Sequence, residues 1–329
     1  MPPPERPTGW ALWWPRLRPV VLLAVALFAA RVIIGFVGAI DWNEVGAALG
    51  RLAWWQLLVL AAMLMVRQTF NAVPLARFVP DLGLGRSMQN DLGAVVIGTL
   101  SPPPSDVVLR VSMFRSWGID PVFGMAGVTL NMFVFYVVRF LVPALGLLLL
   151  AWEGIERGQL VAAGLSALVA VAVLLALYGI TRGDALASLV GRTAGRVAAR
   201  FRRSVDPDAW ALAVVDFRGR MSTSVRQGVP PSLLALVLMV LVDGALLLVC
   251  LRFVGVGAED LDVLAALGAF LLAYPLTLMP LVGFGILDAA LVAAYVEVAG
   301  LELEAEIVAG LVVWRVFTIL GPLALGGAV

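Results

Sequence analysis

Six stretches of the chain, 19–40, 54–73, 122–150, 159–180, 231–254 and 305–327, are long, apolar and almost free of charge. A transmembrane helix needs about 20 mostly apolar residues, and each stretch supplies them. Hydrophobic residues make up 62% of the chain and charged residues 14%, and mean hydropathy is +1.00. A soluble domain of 329 residues could not bury so much apolar surface, because soluble cores stop growing near ~250–300 residues. The expected class is therefore an all-α, multi-pass membrane protein, and the soluble enzyme folds are excluded. The first stretch is too long for a signal peptide and no A-x-A-type site follows it.

Two further apolar stretches do not read as simple spans. The first, 87–118, is interrupted by Ser101-Pro102-Pro103-Pro104-Ser105, and consecutive prolines cannot continue a helix because each lacks a donor and clashes with the preceding turn. The second, 262–300, is interrupted around Pro275, Pro280, Gly283 and Gly285. Each is expected to form a broken helical hairpin, either re-entrant or paired. Charge supports that count. The lead 1–18 carries Arg6, Arg16 and Arg18, and segment 182–226 carries nine arginines against four aspartates, so the positive-inside rule places both in the cytoplasm. Acids collect in the other loops: Asp41 and Glu44; Glu153 and Glu156; Glu259, Asp260 and Asp262; Glu297, Glu302, Glu304 and Glu306. With about six full spans both termini lie inside, provided each broken stretch returns to the side it left.

The expected organisation is a cytoplasmic lead 1–18 and one membrane domain 19–329. That domain divides into a first half 19–180, an Arg-rich linker 181–230 and a second half 231–329. Each half reads as span, broken hairpin, span, in opposite orientations. This is the hydropathy pattern of inverted-repeat transporters, whose broken helices build the substrate site, although the halves share no residue-level identity. In the linker, Arg192, Arg196, Arg200 and Arg203 recur at helical spacing. They form either an amphipathic face for the anionic inner leaflet or a solvated loop that fixes topology.

The chemistry open to this chain is narrow. It has no histidine, one cysteine (Cys250) and a net charge of +1, so neither a His-based nor a Cys-based metal site nor a nucleic-acid surface is expected. All basic residues are arginine, which stays charged and forks onto phosphate or carboxylate. Ionisable groups inside hydrocarbon cost at least ~2.5–3.5 kcal/mol each and mark functional pathways. The chain places Arg31, Arg67, Arg110, Arg139 and Arg315 there, with Asp106, Asp243 and Asp288. Asp106 and Arg110 stand at i, i+4 and can pair on one helix. A helix beginning at Ser105 could offer its N-terminus to an anion, or Ser105 or Asp106 could simply cap it. Gly283 and Gly285 allow an unwound stretch or close backbone approach. The arginines outnumber the acids, so an anionic head group is a natural ligand. Interhelical pairs of Asp243 or Asp288 with Arg139 or Arg315 are the structural alternative.

The run Gly98-Thr99-Leu100-Ser101-Pro102-Pro103-Pro104-Ser105-Asp106-Val107-Val108-Leu109-Arg110 resembles the N-x-x-x-P-x-x-x-G-D-x-x-R signature of the lysylphosphatidylglycerol synthase transmembrane region family, also called flippase-like or UPF0104 proteins. The stretch Pro280 to Ala290 is similar to its P-x-x-G-G-x-G-x-x-E motif, and Trp314-Arg315 to its terminal Arg helix. The chain departs from the pattern at Ser105 (usually Gly), at Asp288 (usually Glu) and in lacking the first Asn. The resemblance covers nearly the whole chain and implies a bacterial or archaeal inner-membrane protein that moves a phospholipid or polyprenyl-linked lipid between leaflets. The chain ends at Val329, just after the last span, so the aminoacyl-transferase domain of the family's bifunctional members, and that synthase activity, are not expected.

The expected function is thus a lipid flippase-like transporter and not an enzyme. An anionic head group would enter a polar cleft between the hairpins, with Arg110, Arg139 and Arg315 on its phosphate and Arg67, Ser105, Gly283 and Gly285 nearby. Asp106, Asp243 and Asp288 would hold the arginines when the site is empty. No nucleotide-binding loop is present and no cofactor is expected, so movement would be passive or coupled to protons or ions. A second copy of the chain is an admissible partner. An integral-membrane glycosyltransferase or lipid-modifying enzyme is the alternative function, and a membrane scaffold the third.

Overall fold

The computed structural model describes residues 43, 46, 47 and 50–328, apart from 103, 152–156, 202–205, 280–282 and 284. The span 19–40, with Arg31, and Arg203 of the linker lie outside the described residues. All regular elements among the described residues are helical. In chain order they are α1 (Trp54–Phe78), α2 (Gly83–Leu100), α3 (Ser105–Ser116), α4 (Pro121–Leu150), α5 (Arg157–Arg182), α6 (Asp184–Phe201), α7 (Pro207–Val254) and α8 (Val263–Ala273). A 3-10 turn at Tyr274–Leu278 follows α8. After it come α9 (Ile286–Ala299) and the last span, built from α10 (Glu304–Arg315), a π-helical turn (Val316–Leu320) and α11 (Gly321–Gly327).

Five segments are long and apolar enough to cross a membrane: Trp54–Phe78, Pro121–Leu150, Arg157–Gly179, Val225–Val254 and Leu301–Gly327. They coincide with the five apolar stretches of the sequence that fall among the described residues. Their outer faces are apolar, as lipid requires: Leu160, Leu165, Leu168 and Leu175 of α5 are all exposed. The protein is a multi-pass, all-α membrane protein.

Both interrupted stretches break where the prolines and glycines stand. α2 ends at Leu100 and α3 starts at Ser105, and α3 folds back along α2. Gly93 and Gly98 allow the approach: a Cβ on Gly93 would stand 3.3 Å from Leu109, and one on Gly98 would stand 3.6 Å from the Cβ of Asp106. At 12 residues, α3 is about 18 Å long, well short of the ~30 Å hydrocarbon core. In the second stretch α8 tightens into the 3-10 turn, and Gly283 and Gly285 take φ of 71° and 82°, the left-handed region glycine occupies at no steric cost. Both stretches pack on the last span, α2 against α11 and α9 against α10.

The hub of the bundle is α7, which packs on α1, α4, α6, α8 and α10. It runs 48 residues without a break through Pro230 and Pro231, about 72 Å in length. Its first part therefore extends beyond the span Val225–Val254. There it pairs with α6, where a Cβ on Gly191 or Gly195 would stand 2.7 Å from the backbone of Trp210 or Pro207. Arg192 pairs with Asp208 at 2.9 Å and Arg218 with Asp184. Of the two readings of the Arg-rich segment, the helical one holds on the described residues: Asp184–Phe201 is a helix packed along the first part of α7, with Arg192 and Arg196 exposed on it. α1 and α7 run antiparallel in a close register: Trp55 meets Phe253 edge-on at 5.6 Å, Arg67 meets Asp243, and Phe78 fills the space over Gly228.

Candidate functional site

Charged groups buried in the spans gather around α7, α10 and the broken second stretch. Asp243 on α7 is 3% exposed and receives Arg67 from α1, with Nη2 3.2 Å from Oδ2 and Nε 3.2 Å from Oδ1. Its Oδ1 also accepts the Trp314 indole N–H at 3.0 Å, and Gln68 Oε1 accepts Arg67 Nη1 at 2.8 Å. One carboxylate thereby ties three spans together. The next residue along α10, Arg315, donates Nε to Asp288 Oδ1 at 2.7 Å. The other oxygen of Asp288 accepts the backbone N–H of Gly285 at 2.7 Å. Gly285 is the N-cap of α9, so its positive φ, the helix start and the Asp288–Arg315 pair form one unit. The π-helical turn begins immediately after Arg315; such insertions occur frequently at functional sites.

An aromatic cluster closes this region. Phe270 meets Trp314 edge-on at 5.8 Å and Tyr274 at 5.7 Å. Arg139 of α4 lies 4.7 Å from the Phe135 ring centre and 6.0 Å from that of Tyr274. It is half-buried and makes no ion pair among the described residues, and its Nε is buried without a hydrogen-bond partner. Asn131, two turns earlier on α4, likewise has a buried Oδ1 without a partner.

Arg110 stands apart from this group. It does not pair with Asp106, the partner its i, i+4 spacing suggests. The Ser101–Pro104 break folds α3 onto α2, and Arg110 instead reaches across the hairpin to Asp91 at 2.8 Å and to Asn90. Sequence spacing missed Asp91 because the pairing depends on the fold-back. Asp106 lies in the first turn of α3, without a side-chain partner among the described residues, near the positive end of that helix. Neither Ser105 nor Asp106 caps the helix: the N-cap is Pro104, and the Ser105 hydroxyl donates to the Pro102 carbonyl. Asp243 likewise takes Arg67 and neither Arg139 nor Arg315, while the Asp288–Arg315 pair is among those the sequence suggested. Arg67, Asp243, Arg139, Asp288, Arg315, Gly283 and Gly285 are brought to one region, and Arg110, Asp106 and Ser105 to the first hairpin.

These partnerships predict unequal sensitivities. Asp91→Ala leaves the half-buried Arg110 without its counter-charge and is expected to destabilise by roughly 2–3 kcal/mol, whereas Asp106→Asn is expected to change stability by less than about 1 kcal/mol. Thermal unfolding of the purified variants checks this, and equal losses would contradict the assigned pairing.

Against known proteins, the chain matches no protein-family model and no curated sequence.

Proposed function

We propose that the protein is a flippase-like transporter that moves an anionic lipid head group between the leaflets of a bacterial or archaeal inner membrane. The observation that carries this reading is Arg139. Arg67, Arg110 and Arg315 are each held by a carboxylate, so their charge is already balanced. Arg139 is a half-buried cation whose charge faces aromatic rings. Such a contact is worth ~0.5–2 kcal/mol and yields readily to the stronger, bidentate bond that phosphate offers. The broken second stretch beside it and the π-helical turn supply the irregular backbone that transporter sites use. The proposed topology has both termini cytoplasmic and two halves in opposite orientation, so the two broken stretches are equivalent elements of an inverted repeat. The resemblance of the Gly98–Arg110 and Pro280–Ala290 regions to the flippase-like family supports the same assignment.

In this mechanism Arg139 takes the phosphate while Asp288–Arg315 and Asp243–Arg67 hold the frame. That differs from a site in which Arg110, Arg139 and Arg315 act together. The acyl chains stay in the bilayer. The test is reconstitution into sealed vesicles that carry a fluorescent phosphatidylglycerol in both leaflets, with a membrane-impermeant quencher added outside. The protein is expected to make the inner-leaflet probe accessible, and quenching no deeper than in empty vesicles would reject the proposal. A membrane scaffold is the second reading, favoured by the carboxylate pairing of the other arginines; it predicts that altering Arg139 leaves every measurable property except stability unchanged.

A further inference from the structure

A cavity of 960 Å³ opens between α5 and α7, lined by Val171, Leu174, Leu175, Val225 and Val229, with Tyr178 and Arg226. Its volume falls within the ~300–1,000 Å³ usual for ligand pockets. Its position follows from packing: α5 lies mainly along α4 and α6 and touches α7 only lightly. Tyr178 is in the last turn of the span Arg157–Gly179, and Arg226 is in the first turn of the span Val225–Val254. Both therefore stand at the end of the cavity nearest the Arg-rich hairpin. The walls are otherwise apolar, so a soluble polar ligand finds no partners along them. The cavity lies between two spans whose outer faces meet lipid, so its occupant enters sideways from the bilayer.

Arg226 is exposed and makes no ion pair or hydrogen bond with a described side chain. An arginine at the mouth of an apolar slot, at the end of its span where lipid head groups stand, is complementary to a fatty chain with an anionic head, and in a phospholipid bilayer that head is a phosphate. Tyr178 suits the same level, since tyrosine favours the membrane–water interface. We propose that this cavity binds one anionic phospholipid, with an acyl chain along Leu174, Leu175 and Val229 and its phosphodiester on Arg226. The site is separate from Arg139, and the inference does not rest on the transport reading.

The test is native mass spectrometry of the full chain, purified in detergent with equal amounts of phosphatidylglycerol and phosphatidylcholine bearing identical acyl chains. The wild type is expected to retain phosphatidylglycerol preferentially. In Arg226→Gln that preference is expected to fall roughly fivefold, the effect of one interfacial arginine. Leu174→Trp, which fills the slot, is expected to lose the bound lipid of either kind. Arg226 is exposed, so its substitution leaves the fold intact even if Leu174→Trp does not. An unselective wild type, an Arg226→Gln variant with undiminished preference, or a folded Leu174→Trp variant that keeps its lipid would each overturn the proposal. Vesicle transport measured on the same Arg226→Gln protein reports on the transport reading independently.

Discussion

Asp243→Ala is expected to destabilise the protein by about 3–5 kcal/mol, the cost of leaving a buried charge without its partner. The carboxylate is 3% exposed and serves Arg67 and Trp314 together. Its removal strands a guanidinium within a span and takes away the acceptor of the Trp314 indole N–H. Arg67→Met alone should also destabilise, because it leaves Asp243 buried and charged. The double variant Arg67→Met with Asp243→Leu should recover most of the loss, since an apolar pair of similar volume often replaces a buried ion pair at little cost. Thermal unfolding of the two single variants and the double variant decides this. Additive losses would show that the two side chains do not act as a pair.

The second large effect concerns the crossing of α4 and α8. A Cβ on Gly146 would stand 2.8 Å from the Gly268 carbonyl oxygen and 3.0 Å from the Leu272 nitrogen, both backbone atoms that cannot step aside. Small residues at helix crossings in membranes permit such approach. Gly146→Val must push α8 away, and overpacking of this kind costs ~1–3 kcal/mol or more. α8 leads directly into the 3-10 turn that carries Tyr274, so the displacement should also disturb the ring beside Arg139. Gly164→Ala on α5 is the control. Nothing stands within 4 Å of a Cβ there, and the change should raise stability by ~0.5–1 kcal/mol through helix propensity. A Gly146→Val protein as stable as the wild type would contradict the packing described for this crossing.

Apolar run length made the five spans among the described residues legible in the sequence, because that signal is local and repeats along the chain. The breaks at Ser101–Pro104 and around Gly283–Gly285 were legible for the same reason: proline and glycine act on their own turn. The continuity of α7 through Pro230 and Pro231 was not, since it depends on packing against α1, where Phe78 fills the notch at Gly228. The charge pairings divide along the same line. Asp288 and Arg315 were both singled out, and one of the suggested pairings joins them. Arg67 and Asp243, 176 positions apart, meet only through the antiparallel register of α1 and α7, which hydropathy does not encode. Asp106 and Arg110 looked like partners because helical spacing is the only distance a sequence supplies, and the fold-back of α3 gave Arg110 a nearer acid. Asp91 could have been noticed as an acid embedded in an apolar hairpin beside Asn90.

Among the described intramembrane arginines that the sequence points to, Arg139 is the one without a carboxylate partner, and the proposed lipid movement depends on it. The most direct test is the vesicle quenching assay on Arg139→Gln, with the melting temperature of the same preparation measured alongside. The expected result is head-group movement reduced at least tenfold, with stability changed by no more than about 2 kcal/mol, because the lost contact is a cation–π pair. Undiminished movement by a folded Arg139→Gln protein would contradict the account.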